Sequence, residues 1–162
     1  MIKTIILAAG KGERLRPYTE TTPKCLVEIN GKRLLDYQLE ILKDAQIEPI
    51  ILVAGYLAEQ LQIAGCKTYL NSRYAETNMV WTLFCAEEEM TGDVIISYGD
   101  IAYSKEVLKT LIQSPHDIAV VIDLGWEEYW EKRSPYPLDD AETLRIDKDG
   151  KIAEIGQKPE RL

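Results

Sequence analysis

Continuous apolar runs and stripes of helical period take turns along this chain. Residues 3–8, 49–54 and 93–98 are near-unbroken apolar runs of strand length, each followed by turn residues. Residues 67–70 and 118–122 read as two further strands, and residues 25–29 as a short one closed by the Asn30-Gly31 turn. Leu34, Leu35, Leu39, Leu42 and Ala45 recur at helical spacing, which predicts an amphipathic helix over 33–46. A short helix is predicted over 57–63. A longer one covers 79–90, with Val80, Leu83, Phe84 and Ala86 inward and Glu87–Glu89 outward. Val107, Leu108, Leu111 and Ile112 mark another helix, and Trp126, Tyr129 and Trp130 share one face of a last short one. Residues 143–147 and 151–155 flank Lys148-Asp149-Gly150 and read as a hairpin. Strand–helix–strand order with buried strands implies an α/β chain, a three-layer α/β/α sandwich. Its sheet is expected to be mostly parallel and made mixed by the late hairpin.

In such sheets ligands bind beyond the carboxyl ends of the strands. Residues 9–24, Gly55-Tyr56 and Gly99-Asp100 all fall at such ends, so they are expected to converge on one crevice. The loop after the first strand is rich in phosphate-binding chemistry. Gly10 and Gly12 let the backbone approach an anion closely, and successive exposed N–H groups make an anion-binding concavity. Arg14 and Lys24 add full charges that can bracket a polyphosphate. Two familiar phosphate motifs are excluded. A dinucleotide fingerprint needs glycine where Leu15 stands, and a P-loop needs Gly-Lys where Leu15-Arg16 stands.

Composition narrows the partners. With 162 residues the chain suits one domain with a real core, and 46% hydrophobic with 28% charged residues is ordinary globular usage. A net charge of −8 argues against a general nucleic-acid binder. No apolar run approaches the length of a membrane span. Cys25, Cys66 and Cys85 are odd in number and widely spaced, which suggests neither a disulfide framework nor a zinc site, but reduced thiols in a cytoplasmic protein. The one histidine, His116, sits in a turn-like Ser-Pro-His-Asp, so a histidine-centred triad is not expected.

Residues 7–26 read LAAGKGERLRPYTETTPKCL and match LAAGxGxRLxPxTxxxPKxL at all twelve fixed positions. This resembles the nucleotidyltransferase family of sugar-1-phosphate and phosphocholine nucleotidyltransferases, of GT-A-like fold. The Asn-containing stretch at residues 77–83 looks most like its choline-phosphate and aminoethylphosphonate cytidylyltransferase branch. The resemblance implies transfer of a nucleoside monophosphate, CMP from CTP in the favoured branch, onto a small phosphate- or phosphonate-bearing acceptor such as choline phosphate, with release of pyrophosphate. It implies that Leu7, Ala8, Ala9, Gly10 and Gly12 bind the nucleotide, that Gly55 and Tyr56 close the other side of the base, and that Asn78 lies in the substrate crevice. Arg14 and Lys24 would be the catalytic cations. Asp100, ending a strand after Gly99, would ligate Mg²⁺, which is commonly held by one or two carboxylates together with phosphate oxygens. The acceptor phosphate is already ionised, so no general base is required.

Each assignment has a plainer alternative. Asp100 can cap the helix that begins near Ser104, Thr77 or Asn78 can be an N-cap, and Tyr56 can be a core-edge aromatic. Trp126 and Trp130 can be core or dimer contacts, or an aromatic wall for a cationic acceptor served also by Asp140. The family's catalytic domains are usually longer and carry a second metal-binding aspartate, for which Asp123 is the only stand-in. The expectation is therefore a single domain over 1–162, truncated on its C-terminal side, with an open sheet edge that favours a homo-oligomer. Rival readings are a sugar-1-phosphate nucleotidyltransferase and a nucleotide-binding regulatory module without turnover.

Overall fold

The computed structural model describes residues 1–133, 136 and 141–159, which divide into two compact units, Met1–Gln113 and Ser114–Leu162. The first unit is built on a four-stranded sheet of β1 (Lys3–Ala8), β4 (Ile50–Ala54), β5 (Cys66–Leu70) and β6 (Val94–Tyr98). Two short strands, β2 (Glu28–Ile29) and β3 (Lys32–Arg33), form a separate antiparallel pair. The sheet order is β5-β4-β1-β6, and every pairing is parallel. From β1 the chain steps to β4 and β5 on one side, then returns to place β6 on the other. The direction of winding thus reverses between β1 and β6, where Leu7 stands opposite Tyr98. That reversal opens a crevice at the carboxyl ends of those two strands.

The buried runs explain the layers. Ile6, Leu52, Ala54 and Ile95 pack on one face beneath Leu35 and Leu42 of α1 (Leu34–Asp44) and Leu108 of α3 (Lys105–Ile112). Ile5, Ile51 and Val53 face the opposite side, against Ala86 and against Leu83 of α2 (Met79–Phe84). The three-layer α/β/α arrangement follows from strands that are apolar on both faces. Ser104 Oγ accepts from the Val107 N–H and caps α3, so Asp100 is not that helix's cap.

Several expected elements come out shorter. Only Glu28–Ile29 of residues 25–29 is strand, because Lys24–Leu26 winds into a 3₁₀ turn that buries Cys25. Residues 57–63 hold a single 3₁₀ turn, Ala58–Gln60. The helix over 79–90 ends at Phe84 and is followed by a 3₁₀ turn, Glu87–Glu89. Its inward face also differs: Val80 and Phe84 are half exposed, while Thr82 is buried because its hydroxyl meets the buried Asn71.

The second unit holds α4 (Trp126–Arg133) and the antiparallel hairpin of β7 (Leu144–Ile146) and β8 (Ile152–Ile155). The hairpin forms its own two-stranded sheet, so the central sheet is wholly parallel rather than mixed. Residues 118–122 are not a strand. Their β-branched run has the propensity, but among the described residues no strand offers a ladder of hydrogen bonds to it, and Ile118 is exposed.

Candidate active site

A cavity of about 650 Å³ lies at the β1/β6 reversal. Residues 7–14 form its floor, Lys24 and Cys25 one flank, residues 98–100 another, and Tyr74, Ala75, Thr77, Asn78, Met79 and Thr82 the remainder. Leu7, Ala8, Ala9, Gly10, Gly12, Arg14, Lys24, Asn78 and Asp100, all singled out from the sequence, meet here.

The glycine loop is held from behind. Gly12 has φ of +64°, a conformation that favours glycine, and its carbonyl accepts from both the Leu15 N–H at 2.9 Å and the buried Thr19 Oγ1 at 2.8 Å. Gly55 and Tyr56 do not line the cavity; they buttress it. A Cβ on Gly55 would come within 2.7 Å of the Ala9 carbonyl and of Tyr74 Cβ. The Tyr56 N–H donates to Ala9 O at 3.0 Å, and its hydroxyl donates to Glu20 O at 2.7 Å, tying the loop's far end to the sheet. Gly10 is the contrast: a Cβ there would meet no protein atom within 4 Å. The open space above Gly10 faces the cavity.

Charge is concentrated along one side. Arg14 and Lys11 are exposed on the glycine loop. Lys24 projects from the 3₁₀ turn whose next residue, Cys25, is anchored in the core, and its ammonium pairs with Asp100 Oδ2. Both side chains are about one third exposed, 31% and 32%. Burial pushes the Cys25 thiol up to about 12, so it is a neutral wall atom and not a nucleophile.

Besides Glu13 on the glycine loop itself, Asp100 is the carboxylate among the described residues that borders the cavity. Among the described residues, no group of three or more His, Cys, Asp or Glu side chains comes together to hold a metal ion. One carboxylate beside an anion-binding loop fits Mg²⁺, which takes few protein ligands and completes its shell with phosphate oxygens and water. It does not fit a structural cation caged by the protein alone.

Asn78 does serve as an N-cap: its Oδ1 accepts from the Val80 and Trp81 N–H groups at 3.1 and 3.2 Å, while the residue also borders the cavity. Trp126 and Trp130 lie on α4 in the second unit, where Tyr129 and Trp130 stack edge to face at 5.2 Å. Asp123 Oδ1 accepts from the Gly125 N–H ahead of α4, and Asp140 lies outside the described residues. Lys11, within the expected 9–24 loop, and Thr77 and Thr82, within the expected 77–83 stretch, also line the cavity, while sequence reasoning missed Tyr74 and Tyr98 on its wall. It also missed two buried amides. Asn71 Nδ2 donates to Thr77 Oγ1 and Thr82 Oγ1, both at 3.0 Å, and its Oδ1 accepts from the Arg73 N–H, fixing the 71–78 wall. Gln38 reaches the β6 end from below. A polar residue on the otherwise apolar stripe of α1 was the available signal for Gln38.

Comparison with known proteins gives the family. Residues 4–147 match the family model of the MobA-like NTP transferase domain. The chain is 43% identical to CTP:phosphoglutamine cytidylyltransferase from Campylobacter jejuni, over 97% of this chain and 66% of that protein. It is 39% identical to choline-phosphate cytidylyltransferase from Streptococcus pneumoniae, over 71% of this chain and 52% of that protein. The chain thus spans between half and two thirds of the length of these relatives. The solved inositol-1-phosphate CTP transferase from T. maritima superposes with a TM-score of 0.71, over 98% of this chain and 65% of that one; at 20% identity this is a likeness of fold.

Proposed function

This chain belongs to the MobA-like NTP transferase domain family, and on that premise we propose that it transfers CMP from CTP, with Mg²⁺, to a small phosphate- or phosphonate-bearing acceptor. The observation that carries the reading is the single cavity in which the glycine loop, three cations and the Asp100 carboxylate meet at the sheet's reversal point. The named activities of the relatives, on phosphoglutamine and on choline phosphate, support the acceptor class.

The chain's own groups suit an in-line displacement. An oxygen of the acceptor's phosphate or phosphonate bonds to the α-phosphorus of CTP, the bond to the α–β bridging oxygen breaks, and pyrophosphate leaves with that electron pair. The nucleophile is ionised near neutral pH, so the cavity needs no histidine base. Backbone N–H groups at Gly10 and Gly12, with Lys11 and Arg14, hold the triphosphate and stabilise charge that grows on the leaving group. Lys24 supplies a further cation at the β6 side, where the nucleotide would compete with Asp100 for its ammonium. Asp100 would hold Mg²⁺, whose positive charge, when bound, further favours departure of pyrophosphate. The short side chains of Ala8 and Ala9 leave the strand end low enough for a base to lie on it.

Pyrophosphate release tests the proposal. The four common nucleoside triphosphates are each paired with choline phosphate, phosphoglutamine, aminoethylphosphonate and hexose-1-phosphates. Release with CTP and one of the first three acceptors is expected. Release restricted to a hexose-1-phosphate would make it a sugar nucleotidyltransferase. Tight CTP binding with no release from any acceptor would replace transfer by nucleotide-dependent regulation.

A further inference from the structure

Gln38 lies on α1, on the opposite face of the sheet from α2, and is fully buried. Its single side-chain nitrogen donates to two backbone carbonyls, Tyr98 O and Ile101 O, each at 2.8 Å. Its oxygen accepts from Ser97 Oγ at 2.7 Å. The hydrogen bonds of this amide therefore go to the end of β6 and to the turn that follows it. The two carbonyls it joins flank Gly99 and Asp100 on either side. Gly99 is pinned independently. Its N–H donates to Leu7 O at 2.9 Å, and a Cβ there would press on Cys25 and Ala8 at 3.1 and 3.2 Å.

A buried amide is costly unless its groups are satisfied, and an apolar residue at this helix position would pack against the same core. Such a residue would, however, leave the Tyr98 and Ile101 carbonyls and the Ser97 hydroxyl without this partner, so the amide contributes to stability as well as to geometry. What the amide does is close the Tyr98-to-Ile101 segment into a fixed bracket. The chain leaves β6 and turns toward α3 across that bracket, and Asp100 is the side chain at its crest. Without it, the segment would keep the Gly99 bond to β1 and the Lys24–Asp100 ion pair but would lose its tie at the Ile101 carbonyl.

We infer that Gln38 is a positioning residue: its amide clamps the Tyr98 and Ile101 carbonyls so that the Asp100 carboxylate is presented to the cavity in one orientation. The inference rests on the proposed role of Asp100 as the carboxylate that holds Mg²⁺. Gln38 touches neither nucleotide nor metal, so its effect is on metal dependence and not on contacts to the base.

The test uses Gln38→Met, which keeps length and apolar bulk but donates nothing, with Ser97→Ala as the control that leaves the carbonyl bracket intact. Gln38→Glu, of the same shape and with at most one proton to donate, serves if Gln38→Met fails to fold. Residue-resolved amide hydrogen exchange on the free protein is read first. Exchange at residues 99–101 is expected to accelerate at least about tenfold relative to Ile5 and Ile6 of β1. Equal acceleration across the sheet, or none, overturns the inference by reducing Gln38 to an ordinary core residue. CTP binding is then titrated against Mg²⁺. The half-saturating Mg²⁺ concentration is expected to rise about tenfold or more in Gln38→Met, with CTP affinity in the absence of metal changed less than about twofold; Ser97→Ala stays near wild type in both. A Mg²⁺ dependence identical to wild type overturns the inference. Absence of any Mg²⁺ effect in the unsubstituted chain is instead the failure of the parent reading of Asp100, and the exchange experiment still decides whether the bracket exists.

Discussion

Substituting Gly10 by alanine separates the needs of the fold from the needs of a ligand. The added methyl would meet no protein atom within 4 Å, and Gly10 is not among the glycines held at positive φ. The fold therefore has no objection to a side chain there. Replacing glycine by alanine at a compatible position narrows the unfolded ensemble and stabilises by about 0.4–1 kcal/mol, or about 1–4 °C in melting temperature for a chain of this size. The ligand, by contrast, is asked to share the cavity with the methyl. A phosphate drawn to the loop's N–H groups would be pushed out of reach of one of them. A hydrogen bond to a charged group contributes about 1.5–3 kcal/mol, so CTP affinity falls roughly ten- to a hundredfold. Differential scanning calorimetry on the free protein and isothermal titration with CTP and Mg²⁺ read the two effects separately. CTP affinity within about twofold of wild type would show that no phosphate lies against Gly10 and would refute the reasoning. So would a melting temperature lowered by several degrees, since it would mean that the space above Gly10 is already used by the fold.

The buttress behaves in the opposite way. Gly55→Ala would force a methyl to within 2.7 Å of Ala9 O and Tyr74 Cβ, and urea unfolding is expected to show a loss of about 1–3 kcal/mol. Asn71→Ala removes the three bonds that hold the cavity wall and is expected to cost about 2–3 kcal/mol, measured in the same way. Arg33 donates to both carboxylate oxygens of Asp36 at 2.7 Å and holds that carboxyl below the usual carboxylate range. Its contribution is then fully present above the unfolded-state value and fades as pH falls through the lowered folded value. The stability gap between wild type and Asp36→Asn, at most about 1 kcal/mol for a partly exposed pair, should be present at neutral pH and close in acid. A gap that widens in acid would contradict this.

The parallel core was legible because its strands are apolar on both faces. Residues 3–8, 49–54 and 93–98 leave no polar side to turn outward, and each became a central or flanking strand of the sheet. The same reasoning overreached at residues 118–122, where composition is strand-like but a ladder needs a partner that local sequence does not specify. The cavity floor was legible because twelve positions at fixed spacing define the loop. Its supports were not. Gln38 falls between Leu35 and Leu42 on the buried stripe of α1, and Asn71 follows the apolar end of β5. Gln38's partners lie up to 63 residues away in the chain and come close only through the fold, whereas Asn71's lie within 11 residues but depend on the turn into α2. Lys24 and Asp100 were each assigned a ligand, yet in the free protein they pair with one another. That pairing crosses 76 residues of sequence and depends on β1 and β6 being neighbours.

The most direct trial of the central claim is calorimetric titration of CTP into the wild-type chain and into Asp100→Asn, each with and without Mg²⁺. The account predicts that Mg²⁺ tightens CTP binding about tenfold or more in the wild type. It predicts that Asp100→Asn abolishes this enhancement, while metal-free affinity stays equal or improves because Lys24 is released to the phosphates. An undiminished Mg²⁺ enhancement in Asp100→Asn, or no CTP binding by the wild type with Mg²⁺, would contradict it.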